Sequence, residues 1–191
     1  MSDTPDRNIL PLPEIMGTVK LLIVVAPYHK AITDQLVAGA QAVAAQVGAR
    51  VDLVEVPSAL EIPTAIRFAA RMADYDGFIA LGCVIRGETS SYEIATRESA
   101  QALTIMGVEG LCIGNGLLGV ESMAQAVARA QPVISDAQQA IDTNKGAAAA
   151  AAALHLIALS RKWARQTKGI GFRPSGESFR IAGEPEGENR A

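Results

Sequence analysis

Cysteine is scarce in this chain, and positive charge is not in excess. Cys83 and Cys112 are the two cysteines among 191 residues, and both fall in apolar runs that read as buried strands. A disulfide framework or a cysteine metal site is thereby excluded; small core residues in a reducing compartment fit better. With 17 Lys+Arg against 20 Asp+Glu, the formal net charge is -3. That balance offers nothing to a nucleic-acid backbone or an anionic membrane, so neither partner is expected. No segment approaches the length needed to span a bilayer. The opening MSDTPDRNILPLPEIMG is polar and proline-punctuated, with no apolar core for export, and a cytoplasmic location is expected. A glycine-rich dinucleotide fingerprint is missing too, since Ala26-Pro27-Tyr28 stands where its glycines would be, and there is no P-loop.

What is present is the composition of a globular domain, 49% hydrophobic and 19% charged, long enough for one substantial core. The most informative stretch is Gly77 to Tyr92, GFIALGCVIRGETSSY. Phe78 to Ile85 is a short apolar run of the kind that suits a strand buried on both faces. At Arg86-Gly87-Glu88-Thr89-Ser90-Ser91 the character changes. Hydroxyl residues after a glycine are helix-starting chemistry, because their oxygens accept from the unpaired N–H groups of the first turn. Strand, glycine turn and helix start together put N–H donors where α/β proteins hold anions and phosphate esters. An ordinary βα loop containing a glycine is the plain alternative, and this segment alone does not separate the two.

Taken in order, residues 1–17 read as an N-terminal arm kept extended by Pro11 and Pro13. Val19 to Ala26 is a first strand, ending in the loop Pro27-Tyr28-His29. Ile32, Leu36, Ala40, Val43 and Val47 recur at helical spacing, closed by Gly48. Arg50 to Val56 forms a second strand, and Pro63 sits in the first turn of the next helix. The third strand is followed by a helix from about Thr89 to Met106, with Tyr92, Ala95, Ser99, Ala102 and Met106 on one face. Leu111 to Asn115 is read as a fourth strand, Glu121 to Ala130 as a short helix, and Gln131 to Thr143 as a polar connection. Asn144 starts a last helix through seven consecutive alanines, a residue that permits close helix packing. Four strand–helix alternations imply a parallel sheet covered on both faces by right-handed crossovers. The domain is set at 18–165, with 166–191 expected to be a disordered tail.

Three strand-end loops, taken together, resemble the 6,7-dimethyl-8-ribityllumazine synthase family of riboflavin biosynthesis. They are VPSALEIP (Val56 to Pro63), ALGCVIRGET (Ala80 to Thr89) and GNGLLGVESMAQAVARA (Gly114 to Ala130), followed by Asn144-Lys145-Gly146. The resemblance runs from about Val19 to Arg161. It implies a three-layer flavodoxin-like α/β fold, with a four-stranded parallel sheet flanked by helices. It also implies a homo-oligomer, a pentamer or pentamer dimer, with active sites between neighbouring subunits. The implied reaction condenses 5-amino-6-(D-ribitylamino)uracil with 3,4-dihydroxy-2-butanone 4-phosphate, releasing phosphate and water, with no metal or organic cofactor.

Residue by residue, the resemblance gives Tyr28 the role of a ring stacked on the pyrimidine; a half-exposed loop tyrosine is the plainer reading. Ser58, Ala59 and Glu61 would hold the ribityl chain, although Glu61 also suits a helix start. Cys83, Val84 and Ile85 would meet the uracil edge through their backbone. Gly87, Glu88 and Thr89 match the phosphate loop, where N–H groups rather than the Glu88 carboxylate would face the ester. Arg129 would reach the phosphate from the adjoining subunit, a task suited to a permanently charged fork. Lys145 and Asn115 match further substrate positions, Asn115 across the interface. Many members carry histidine three residues after the Glu of RGET, as proton carrier, and here that position is Ser91. A hydroxyl is no base near neutral pH without a partner. Either Ser91 positions a water or another group helps, with His29 and Glu88 nearest by motif position and His155 structural. Two other readings stand beside the synthase: a related riboflavin-pathway dismutase, and a lumazine- or flavin-binding protein with weakened catalysis.

Overall fold

The apolar runs pair as their continuity dictates. In the computed structural model, which describes residues 9–133 and 137–169, β1 (Lys20–Ala26), β2 (Arg50–Glu55), β3 (Gly77–Ile85) and β4 (Ile113–Val120) form one parallel sheet in the order β2-β1-β3-β4. This is the flavodoxin-like α/β arrangement expected, with its order reversing between β1 and β3. Each strand hands over to a helix: α1 (Lys30–Gln46), α2 (Ile62–Met72), α3 (Ser91–Val108) and α4 (Met123–Arg129), then α5 (Ala137–Thr143) and α6 (Lys145–Gly169).

Alternation along the central strands divides the core in two. Leu21, Ile23, Val25, Ile79, Leu81 and Cys83 point to the layer of α1 and α6, where they meet Leu36, Val43, Leu154 and Ile157. Leu22, Val24, Phe78 and Ala80 point to α2 and α3, against Ile62, Ile66, Leu103 and Met106. Each fully buried aliphatic side chain stabilises the fold by about 1.5–3 kcal/mol. Coverage on both faces holds for β1 and β3. The edge strand β2 is largely open, with Leu53 and Val54 exposed.

Four boundaries differ from the sequence reading. β4 runs to Val120 rather than stopping at Asn115, because its glycines mark close packing and not a strand end. Gly114 lies so near the Ala149 carbonyl on α6 that a Cβ there would sit 1.9 Å from that oxygen. Cys112 falls just before the strand and is only half-buried, though Cys83 is buried as expected. The connection Gln131 to Thr143 contains α5; its base is closed by a bridge between Ala130 and Asn144. Finally, α6 continues to Gly169, past the boundary set at 165. The rest of the tail, and residues 1–8 of the arm, lie outside the described residues. From Ile9 onward the arm is docked: Ile9, Leu12 and Ile15 pack on the core, and Arg161 donates to the carbonyls of Met16 and Thr18.

Asn144 explains why α6 begins where it does. Its buried carboxamide accepts from the N–H groups of Gly146 and Ala147 and donates to the carbonyls of Gln35 and Gln131. One side chain therefore caps α6, ties it to α1 and holds the base of the α5 excursion.

Candidate active site at the strand ends

The carboxyl ends of β1, β2 and β3 surround a cleft of about 370 Å³ at the point where the strand order reverses. Parallel sheets place ligands here because the crossovers diverge and leave helix starts and turn amides facing one crevice. β1 contributes Ala26 and the loop residues Tyr28 and His29. Tyr28 is 79% exposed and its ring stands at 83° to that of His29, centroids 5.1 Å apart, so the phenol presents open aromatic surface to a ligand. His29 caps α1 through its carbonyl, which accepts from Ile32 and Thr33, while its imidazole makes no capping bond.

After β2, Ser58 and Glu61 form a reciprocal capping box around the 3₁₀ turn Ala59–Glu61. Ser58 Oγ accepts from the Leu60 N–H at 3.3 Å, and Glu61 Oε2 accepts from the Ser58 N–H at 2.8 Å. Ser58, Ala59 and Leu60 line the cleft, whereas the Glu61 carboxylate is engaged behind it, in its helix-start role. The turn is also held from below. Buried Ser99 on α3 donates from Oγ to the Ala59 carbonyl at 2.9 Å. The sequence put Ser99 on one helix face with Tyr92, Ala95, Ala102 and Met106, but nothing in the periodicity revealed that it orients the turn.

β3 supplies the floor and far wall: Cys83, Val84 and Ile85, then Gly87, Thr89 and Ser91, with Tyr92 and Ala95 on α3. Burial pushes the Cys83 thiol above its ordinary range, so it stays protonated and unreactive near neutral pH. The helix-start hydroxyls do not cap α3 as expected. The residue before it, Ser90, already has helical dihedrals and makes no side-chain cap; Thr89 Oγ1 instead donates to Ser91 Oγ at 3.1 Å. The first-turn amides of α3 are consequently left without a hydroxyl partner.

Arg86, which the sequence reading passed over, fixes this loop. Its N–H donates to the Val120 carbonyl at 2.9 Å, Nε pairs with Glu121 at 2.7 Å, and Nη1 pairs with Glu93. The guanidinium also lies 4.2 Å from the centre of the Tyr92 ring, which itself lines the cleft. Glu93 and Glu121 raise the Arg86 pKa further, chiefly through these hydrogen bonds. The spacing of Arg86, Tyr92 and Glu93 around the loop was the available signal, masked by the reading of RGET as a phosphate motif alone.

Five of the expected residues lie outside the cleft of a single chain: Glu61, Glu88, Asn115, Arg129 and Lys145. Asn115 sits in β4, its Oδ1 accepting from the Leu117 N–H, and Arg129 ends α4 without an ion-pair partner among the described residues. Lys145 opens α6 beside the buried Asn144. A roomier groove of about 520 Å³ lies between residues 14–16 and α6. It opens beside the amino ends of the strands, where Arg161 pairs with Asp76 and no strand-end loop contributes. Among the described residues, no group of three or more His, Cys, Asp or Glu side chains is placed to hold a metal, and no helix is long and apolar enough to cross a membrane.

Residues 18–161 match the family described as 6,7-dimethyl-8-ribityllumazine synthase. The chain belongs to that family. Among similar proteins, the 6,7-dimethyl-8-ribityllumazine synthase of Jannaschia sp. (strain CCS1) is 45% identical over 169 residues, covering 88% of this chain and 90% of its own. The protein of the same name from Novosphingobium aromaticivorans is 46% identical over 75% of this chain and 98% of its own length. That of Bartonella bacilliformis is 47% identical over 75% and 91%. The matched span takes in all four strands and every loop of the cleft, so the lumazine synthase relationship covers the site as well as the scaffold.

Proposed function

We propose that the chain is a cytoplasmic, cofactor-independent transferase that condenses 5-amino-6-(D-ribitylamino)uracil with 3,4-dihydroxy-2-butanone 4-phosphate to give 6,7-dimethyl-8-ribityllumazine. The observation that carries this reading is the convergence, in one crevice, of an open aromatic face, a rigid polar turn, an apolar wall and an uncapped helix start. Tyr28 stacks the pyrimidine, and the backbone of Cys83, Val84 and Ile85 meets its polar edge. The turn Ser58–Glu61, held by Ser99, grips the ribityl chain. Gly87, Thr89 and the first-turn amides of α3 receive the phosphate, because N–H groups at a helix start favour an anion.

Holding both substrates in register makes a bimolecular condensation effectively unimolecular, and this supplies much of the rate. Arg129 closes on the phosphate from a neighbouring subunit, with Asn115 also acting across the interface and Lys145 as a further substrate contact, which makes a pentamer or pentamer dimer the working unit. Supporting that assembly are the large apolar side chains left exposed on α2 and α3, Phe68, Met72, Ile105 and Val108, and on β2. The test is direct: purified protein, exhaustively treated with chelator, is given both substrates and followed by lumazine absorbance. Sustained turnover is expected. Tight lumazine binding without turnover would favour a pigment-binding protein instead, the reading suggested by a hydroxyl at position 91.

A further inference from the structure

The proposed condensation has to move protons, and the cleft offers few groups able to do so. Its ionisable lining consists of Tyr28, His29, Cys83 and Tyr92. A phenol gives up its proton only in alkaline solution, and the Cys83 thiol is pushed upward by burial. The Ser91 hydroxyl has Thr89 as its hydrogen-bond partner, which is no base. The Glu61 carboxylate is engaged with the Ser58 N–H, and Glu88 does not line the cleft. Imidazole is the side chain that takes and returns a proton between pH 5 and 8. The chain has two histidines, and the other, His155, is on α6 beside the groove at the opposite edge.

We propose that His29 is the proton carrier of this cleft, an inference that rests on the function proposed above. Three features of its setting suit the task. It stands at the carboxyl end of β1, in the crevice itself, and is half-buried. Its ring nitrogens have no hydrogen-bond partner among the described residues, because the capping of α1 is done by its carbonyl. The Tyr28 ring packs at 83° to the imidazole, centroids 5.1 Å apart, and limits its rotation. The charged groups nearby are the Lys30–Asp34 pair of its own helix and Glu55 at the end of β2; Cys83 faces the cleft from β3 and Tyr92 from α3.

The amine of the uracil substrate adds to the butanone carbonyl and water leaves, forming a C=N bond. The proton on the adjoining hydroxyl-bearing carbon passes to the imidazole, and its C–H electron pair becomes a C=C bond. The C–O bond to phosphate breaks with its pair remaining on phosphate. The imidazolium then gives its proton to the departing phosphate and is neutral again.

Turnover by the unmodified protein tests the function; the pH profile of His29→Gln tests this inference separately. The unmodified protein is expected to lose kcat on acidification, as protonation takes the base out of use. His29→Gln is expected to turn over about 10²-fold more slowly, the lower end for general acid–base catalysis. It should bind the uracil substrate unchanged and lack that acid limb. Two further measurements guard against a merely damaged site. Imidazole added to His29→Ala should restore part of the rate, and Ser91→His placed on the His29→Gln background should restore an acid limb from the other side of the cleft. An acid limb and kcat retained in His29→Gln, or no rescue by either route, would overturn the assignment.

Discussion

Arg86 and Arg129 differ in what surrounds them, and their substitutions should differ accordingly. Arg86 is locked to Glu93, Glu121, the Val120 carbonyl and the Tyr92 ring, and so acts on substrate only through the loop it holds. Arg86→Ala is expected to raise the KM for the butanone phosphate, by up to about 10²-fold if the loop shifts by an ångström. Arg86→Lys should recover only part, because one ammonium cannot serve both carboxylates and stack on a ring. An unchanged KM in Arg86→Ala would show that the loop stands without its clamp. Among the described residues Arg129 has no such partners, and its proposed work is a direct contact with phosphate. Arg129→Ala should therefore weaken handling of the butanone phosphate by about 1.5–3 kcal/mol, the size of one charge-assisted hydrogen bond, and leave uracil binding intact; equal losses for both substrates would point to a damaged interface. At this scale the sequence was legible where a residue lines the cleft through its own loop, as Tyr28, Ser58 and Thr89 do. It was silent on Ser99, whose role depends on a contact 40 residues away in the chain, and it showed only the local half of the Arg86 clamp, since Glu121 lies 35 residues on.

At the scale of elements, the alanine tract shows how composition becomes packing. Ala147, Ala149, Ala150, Ala151 and Ala153 are buried, which lets α6 lie close against β4 and α1 at once. The approach is tight enough that a Cβ on Gly146 would sit 1.9 Å from the Leu36 carbonyl oxygen. Gly146→Ala is expected to cost at least the 1–3 kcal/mol typical of overpacking, because the atom met is backbone and cannot rotate away. Asn144→Ala should cost about 2–4 kcal/mol, from the lost cap and the buried carbonyls left unpaired. Denaturant midpoints measure both, and a loss under 1 kcal/mol for either would mean that α6 can shift without harm. Strand and helix order was readable because apolar continuity and helical spacing are local properties. The true length of β4 and the presence of α5 were not. The glycines of β4 answer to α6, far along the chain, and α5 is a short, mostly polar helix that sends Ala140 and Ile141 into the core and whose base is held by Asn144.

For the whole molecule, the α5 excursion bears on assembly. In the resembled family, extra residues between the last two helices obstruct the packing of pentamers into closed shells. Here Ala130 and Asn144 pinch off a segment that contains a folded helix, and at a contact between pentamers its bulk is expected to carry a steric cost. The cyclic assembly proposed above is expected to survive, because its active site needs only a neighbouring subunit. The expected species is a pentamer or a pair of pentamers; light scattering that found particles of capsid mass at low micromolar protein would refute the loop argument and leave the chemistry untouched. The central claim is that condensation takes place in the crevice where the strand order reverses, and the most direct measurement is a crystal structure with the uracil substrate bound in the absence of its partner. The pyrimidine should lie flat on Tyr28, its polar edge against the backbone of residues 83–85 and its ribityl chain along Ser58 and Ala59. A uracil bound instead in the groove between residues 14–16 and α6, with the strand-end crevice empty, would contradict the account.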